Sequence, residues 1–168
     1  MTKTVLLDAF AEFTRNAVKD LILPVRVQKG DTTQSYRTAD VYKMRLPDSS
    51  AATKKAPYIV HQVIGGKDVQ AEGSREDASA TIRTIFCVYA DDEQEGGLML
   101  LELMERLRIA LLRQVVIGKQ FSLDLTAGVE TISYPDDTAP YFAGEMSTVW
   151  KMPAVEREVN FYAEEFQS

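Results

Sequence analysis

The sequence predicts an α+β protein in which a mostly antiparallel β-sheet packs against one long and one N-terminal α-helix. Three observations carry this. Apolar residues recur at helical spacing near the N-terminus and again from Gly97. Elsewhere they alternate along runs rich in β-branched and aromatic side chains, as half-buried strands do. The two patterns come in the order helix, strands, helix, strands, a segregation that favours α+β. The strand–helix–strand order in the middle also leaves room for one parallel pair.

Residues 5–23 place Leu6, Phe10, Phe13, Ala17 and Leu21 on one side of a helix, with Asp8, Glu12, Arg15, Asn16 and Lys19 on the other. Pro24 ends it, because proline disfavours helix in the residue before it. Val25 to Gln28 is a short strand candidate, and residues 29–40 are polar and turn-rich. Val41 to Leu46 alternates, with Tyr42, Met44 and Leu46 on one face. Residues 47–56 read as a loop. Pro57 to Ile64 is a strand stopped by Gly65-Gly66, and Lys67 to Asp77 is loop-like. Ser79 to Ala90 is the clearest strand, with Ala80, Ile82, Thr84, Phe86, Val88 and Ala90 on one face.

Asp91, Asp92 and Glu93 then suit the positive end of a helix dipole. The long helix is expected from Gly97 to Ile117, with Gly118 as its left-handed cap. Phe121 to Leu125 and Val129 to Tyr134 are short strand candidates, and residues 135–144 form a proline-bearing turn. The last strand, Glu145 to Met152, sets Met146, Thr148, Trp150 and Met152 on one face before Pro153. A single domain over residues 1–168, with a C-terminal extension at 154–168, accounts for the whole chain.

Composition narrows the function. Nineteen Lys and Arg against twenty-five Asp and Glu give a net charge of −6. That opposes a broad phosphate-binding surface and a polybasic membrane-surface role. One cysteine, Cys87, excludes an internal disulfide and a multi-cysteine zinc site, and beside Phe86 and Val88 it reads as buried and inert. A reducing cytosol is the default compartment. No signal peptide is expected, since Asp8 and Glu12 interrupt the first apolar run. Charges at Glu102, Glu105, Arg106, Arg108 and Arg113 argue against a membrane span over Leu98 to Ile117.

Groups that could carry chemistry are few. His61 is the only histidine, sits mid-strand and has no nucleophile motif beside it, so a polar neighbour or solvent is its expected surrounding. Asp91-Asp92-Glu93 and Asp136-Asp137 could hold a hard cation, but neighbours on a strand diverge, and helix-start and turn chemistry explain both clusters. Gly65-Gly66-Lys67 and Gly96-Gly97 match no phosphate-binding loop. Trp150, near Tyr141 and Phe142, could line a ligand box or anchor a core or an interface. No catalytic residue, metal ligand or cofactor is expected.

The long helix has two apolar sides. Leu100, Met104, Leu107 and Leu111, broadened by Leu103 and Val115, form a core stripe. Leu98, Ile109, Leu112 and Val116 lie roughly a third to half a turn away, with Glu102, Arg106 and Arg113 in the polar sector. Either one domain wraps both sides, or the second side is a subunit interface.

The segments PYIVHQVIGG (57–66), TIRTIFCVYADD (81–92), GLMLLELMERLRIALL (97–112) and YPDDTAPYFAGEMSTVWKMP (134–153) together resemble the tail-terminator, or tail-completion, proteins of long-tailed bacteriophages and prophages, particularly those of Gram-positive hosts. The likeness lies in the ordered series of strand, acidic turn, long helix, turn and tryptophan-bearing strand, over a little more than half of the chain. It implies a non-enzymatic virion protein, made in the host cytoplasm and placed at the head-proximal end of the tail. It implies a ring, typically a hexamer, that caps the tail tube, stops its polymerisation and offers a surface to the head-side connector or neck protein. DNA would pass through the lumen without specific binding, and no membrane is involved. The interface set Leu98, Ile109, Leu112 and Val116 would serve ring closure, and Trp150 would be a tube, connector or core anchor. A net-negative ring would repel phosphates. The competing readings are a neck or head–tail joining protein, a small metal-dependent enzyme using Asp91, Asp92 or Asp136, and a ligand-binding module around Trp150.

Overall fold

The chain begins with α1, Lys3–Val18, and its start and end follow from local chemistry. The Thr2 side chain accepts from the Val5 amide, an N-cap that satisfies one of the free first-turn donors. Leu6, Leu7, Phe10, Ala11, Thr14 and Val18 are buried on one side. The helix stops five residues short of the expected end because Leu23 pairs as a strand and Pro24 follows it. The computed structural model describes residues 1–47, 55–135 and 138–158.

The expected strand at 25–28 lies earlier, as β1, Leu23–Val25, and its partner β2, Ser35–Arg37, falls inside the stretch expected as loop. The two form a separate antiparallel ribbon. Proline is tolerated in β1 because a two-stranded ribbon is all edge.

The main sheet has the order β3-β4-β5-β9-β7-β6, with β8 also paired to β9. Its strands are β3 Asp40–Lys43, β4 Tyr58–Val69, β5 Asp77–Tyr89, β6 Val116–Ile117, β7 Phe121–Leu123, β8 Glu130–Ser133 and β9 Tyr141–Met152. Every pairing is antiparallel except β3 with β4, so the parallel pair precedes the middle of the chain rather than flanking the long helix. The α+β class is as the sequence predicts.

Four boundaries or faces differ from expectation. In β3 it is Val41 that is buried against the helices, while Tyr42 turns to the other side and Met44 leaves the strand at φ 66. The strand β4 continues through Gly65-Gly66, which sits at a register shift between Val63 and Gly65, so the pair marks a bulge and not an end. The strand β9 starts at Tyr141, inside the expected turn. The long helix α2 spans Glu93–Gln114 and is capped by Asp92, whose side chain accepts from the Glu95 amide at 3.0 Å. Val115, at φ 63, ends it, because its carbonyl accepts from the Leu123 amide at 2.8 Å. Gly118, φ 57, belongs instead to the turn between β6 and β7.

Both helices lie on one face of the sheet. The alternating faces of β5 (Ala80, Ile82, Phe86, Val88) and β9 (Met146, Trp150) join Leu6, Phe10, Leu103, Leu107 and Leu111 in one core, as the period-2 pattern anticipates. A smaller cluster of Tyr58, Val60, Cys87 and Tyr89 occupies the opposite face. Among the described residues no helix is long and apolar enough to cross a membrane. Asp136-Asp137, residues 48–54 of the expected loop and the end of the extension, with Phe161, Tyr162 and Phe166, lie outside the described residues.

Candidate subunit-contact surface

Helix α2 is held against the sheet by a face that cannot be used for anything else. Leu100, Leu103, Met104, Leu107 and Leu111 are buried, and so is Gly96. A Cβ at Gly96 would lie 2.1 Å from the Phe142 ring, so the missing side chain is what lets that ring close on the helix.

Among the described residues nothing covers the opposite face of α2. Leu98 is 58% exposed, Leu101 51%, Ile109 40% and Leu112 42%. At about 100° per residue these four project within about 80° of one another, on the side away from the core. Three of the four predicted interface residues therefore share this outer face. The fourth, Val116, is also exposed, at 43%, but it is carried by β6 beyond the helix end. Leu101 was missing from the predicted set, although its wheel position, about 20° from Leu112, gave the signal.

Two ion pairs line the same face. Arg106 Nε donates to Glu102 Oε1 at 3.0 Å, and Arg108 grips Glu105 through Nε at 2.8 Å and Nη2 at 2.7 Å. The bidentate bond from Arg108 holds the Glu105 carboxyl below the usual carboxylate range. These pairs are on the surface, so each adds little stability and mainly fixes side-chain direction.

Trp150 takes the core role among those the sequence left open. It is fully buried, tilted against Phe10 at 5.2 Å, and its Nε1 donates to Thr148 Oγ1 at 2.9 Å. It is not an anchor for tube or connector, nor the wall of a ligand box. Tyr141 packs on Tyr89 and accepts from Arg26.

His61 is buried between α1 and the sheet, rather than facing solvent. Phe10 stacks on its ring at 3.9 Å. Thr14 Oγ1 gives its one hydrogen to the Phe10 carbonyl at 2.8 Å, so it accepts from His61 Nε2–H at 2.8 Å. His61 Nδ1 in turn accepts from Thr84 Oγ1 at 2.7 Å. Both threonines are fully buried, so the ring is a neutral, satisfied spacer in the core. Burial, with the charge of Arg15 nearby, lowers its pKa to about 3.

The acidic residues at the start of α2 have separate tasks. Asp91 accepts from the Tyr89 hydroxyl at 2.6 Å, and Asp92 caps the helix. Among the described residues no group of three His, Cys, Asp or Glu side chains converges as a metal site would require. Burial pushes the Cys87 thiol up to about 11, which keeps it protonated and unreactive near neutrality.

No protein-family model and no curated protein matches this chain. Among solved structures, one known only by a sequence designation matches at a TM-score of 0.48 with 10% identity, covering 94% of this chain and 99% of that one. At that level the likeness carries no argument about function.

Proposed function

We propose that this protein is a structural subunit of a ring, of hexameric order, that caps the tail tube of a long-tailed bacteriophage, ends its polymerisation and presents the head-joining surface. The observation that carries the reading is the outer face of α2: four aliphatic side chains left 40–58% exposed on a helix whose other side is fully committed to the core. A face of that kind supplies the contact between neighbouring copies that a closed ring needs. The ordered resemblance to tail terminators supplies the setting, and the net charge of −6 suits a lumen through which DNA slides.

Magnitude adds a constraint on assembly. Covering the exposed half of one Leu or Ile gains about 1 kcal/mol, so one α2 stripe contributes about 4 kcal/mol. The loss of translational and rotational freedom on association costs about 4–15 kcal/mol. The stripe alone does not hold a ring together. Assembly on the end of a tube, where the copies are already aligned, overcomes this cost.

Purified protein added to tail tubes should form rings on tube ends, visible by electron microscopy and countable by native mass spectrometry. Leu98→Asp with Leu112→Asp should abolish capping while leaving the fold intact, since both side chains are exposed. Particles lacking the protein should carry overlong or uncapped tails. Tails of normal length that fail to hold heads would point instead to a neck protein, and a chain that never associates with tails would refute the proposal.

A further inference from the structure

We infer that, away from the tube, the outer face of α2 is covered by α2 of a second copy running antiparallel. This rests on reading that face as a subunit contact, and it is independent of the phage setting.

The apolar stripe reads the same in both directions. Leu98 and Leu112 lie seven residues to either side of Glu105, and Leu101 and Ile109 lie four to either side. A two-fold axis through the Glu105 position therefore brings Leu98 beside Leu112 of the second copy, and Leu101 beside Ile109. Self-complementarity of this kind is what an isologous contact requires. It also covers two stripes at once, twice the apolar area that one stripe docked on an unrelated surface would lend.

The charges repeat the symmetry with opposite sign. Glu95, Glu102, Arg106 and Arg113 fall within about 40° of one another along one flank of the stripe, at about 100° per residue. Glu95 and Arg113 lie nine residues to either side of Met104, and Glu102 and Arg106 lie two to either side. The centres of the two patterns are one residue apart, about 1.5 Å along the axis. An antiparallel pair then sets Glu102 beside Arg106 of the second copy and Glu95 beside Arg113, each twice by symmetry. A parallel two-fold pair puts this flank on opposite sides of the seam in the two copies, so neither set of ion pairs forms. Charge placement thus selects orientation, as it does at other interfaces. Glu105, at the centre, is already neutralised by Arg108 of its own helix, so the axis does not bring two bare carboxylates together.

The consequence for assembly is a guarded face. A copy paired in this way cannot offer α2 to a ring neighbour until the tube end competes the pair apart, and rings do not form free in solution.

Full-length protein should sediment as a reversible monomer–dimer mixture. Glu105→Cys should oxidise to a disulfide-linked dimer, whereas Leu98→Cys should do so only when mixed with Leu112→Cys; Cys87 is buried and stays out of the reaction. Glu102→Arg should weaken the dimer about tenfold, the effect of two reversed ion-pair sites, and adding Arg106→Glu should restore it. All these positions are on the outer face, and Trp150 fluorescence checks that the core is unchanged. Protein that stays monomeric at its solubility limit, or Leu98→Cys that cross-links alone as readily as Glu105→Cys, overturns the inference. A dimer that forms but never caps tubes overturns the tail role and leaves the dimer standing. A monomer that caps tubes does the reverse.

Discussion

Acidification should destabilise this protein through His61. Its imidazole is enclosed by Phe10, Thr14 and Thr84 and has a pKa lowered from 6.5 to about 3. Above pH 6.5 the ring is neutral in both folded and unfolded chains and contributes no slope. Below 6.5 the unfolded chain takes up a proton that the folded chain refuses, so stability falls with pH until about 3 and then levels. Each unit is worth about 1.4 kcal/mol, so the loss from this one group reaches about 3 kcal/mol at pH 4.5 and about 5 kcal/mol at full extent. Carboxylates also titrate in this range, so a difference measurement is needed. His61→Gln keeps hydrogen-bonding capacity and removes the titration. At pH 7 the variant should be the less stable, through imperfect packing against Phe10. Between pH 7 and 4.5 its deficit relative to the natural chain should shrink, or reverse, by about 3 kcal/mol. Urea unfolding followed by Trp150, the one tryptophan, reads this directly, because Trp150 lies against Phe10, the residue stacked on His61. Parallel stability curves for the two proteins across that range would mean that His61 is hydrated, and the reasoning would fail.

Adjacent glycines in α2 should respond with opposite sign. Gly96→Ala forces a Cβ to within 2.1 Å of the Phe142 ring, and overpacking of about 1–3 kcal/mol exceeds the helix-propensity gain of about 1 kcal/mol. Gly97→Ala meets nothing within 4 Å and should raise the melting temperature by the propensity term alone. Gly144→Ala places a Cβ 2.8 Å from the Ile132 carbonyl, which is backbone and cannot step aside, so thermal unfolding should show a loss of about 1–3 kcal/mol with separation of β8 from β9. Trp150→Ala should cost about 3–5 kcal/mol in urea unfolding read by circular dichroism, as a fully buried aromatic does; a near-neutral result would return Trp150 to the surface.

The parts of the fold that side-chain period decides were legible in the sequence. Strands β5 and β9 alternate because one face is buried against the helices, and the alternation names the buried residues correctly from Ala80 to Trp150. Where backbone hydrogen bonds decide, the sequence is quieter. Residues 35–37 are polar and carry no alternation, yet they pair with residues 23–25 as a ribbon. Gly65-Gly66 has the composition of a turn, yet β4 bends through it and continues to Val69. The end of α2 reverses the usual signal: a β-branched Val115 takes the positive φ that Gly118, three residues on, seemed placed to supply. What overrides propensity there is the pairing of β6 with β7, which needs the chain to turn before Val116.

The exposed apolar face of α2 was legible for a different reason from the core. A helix that covers one sheet needs one apolar side, and α2 has two, so the surplus is visible without coordinates. What the sequence could not decide was whether α1 takes up the second side. It does not, because α1 spends its apolar residues on the sheet and on the core flank of α2, and its polar insert there, Thr14, is reserved for His61. Thr14 on an apolar helix face and Thr84 on an apolar strand face were the available signs that His61 has buried partners. With Trp150 also drawn inside, the outer surface of α2 is left with aliphatic side chains and compensating charges and no aromatic anchor. Interfaces dominated by a few buried aromatic or arginine anchors are the tight ones. On the proposed reading, a surface built like this one gives weak, reversible pairing, in which symmetry and a template, not intrinsic affinity, determine which partner it keeps.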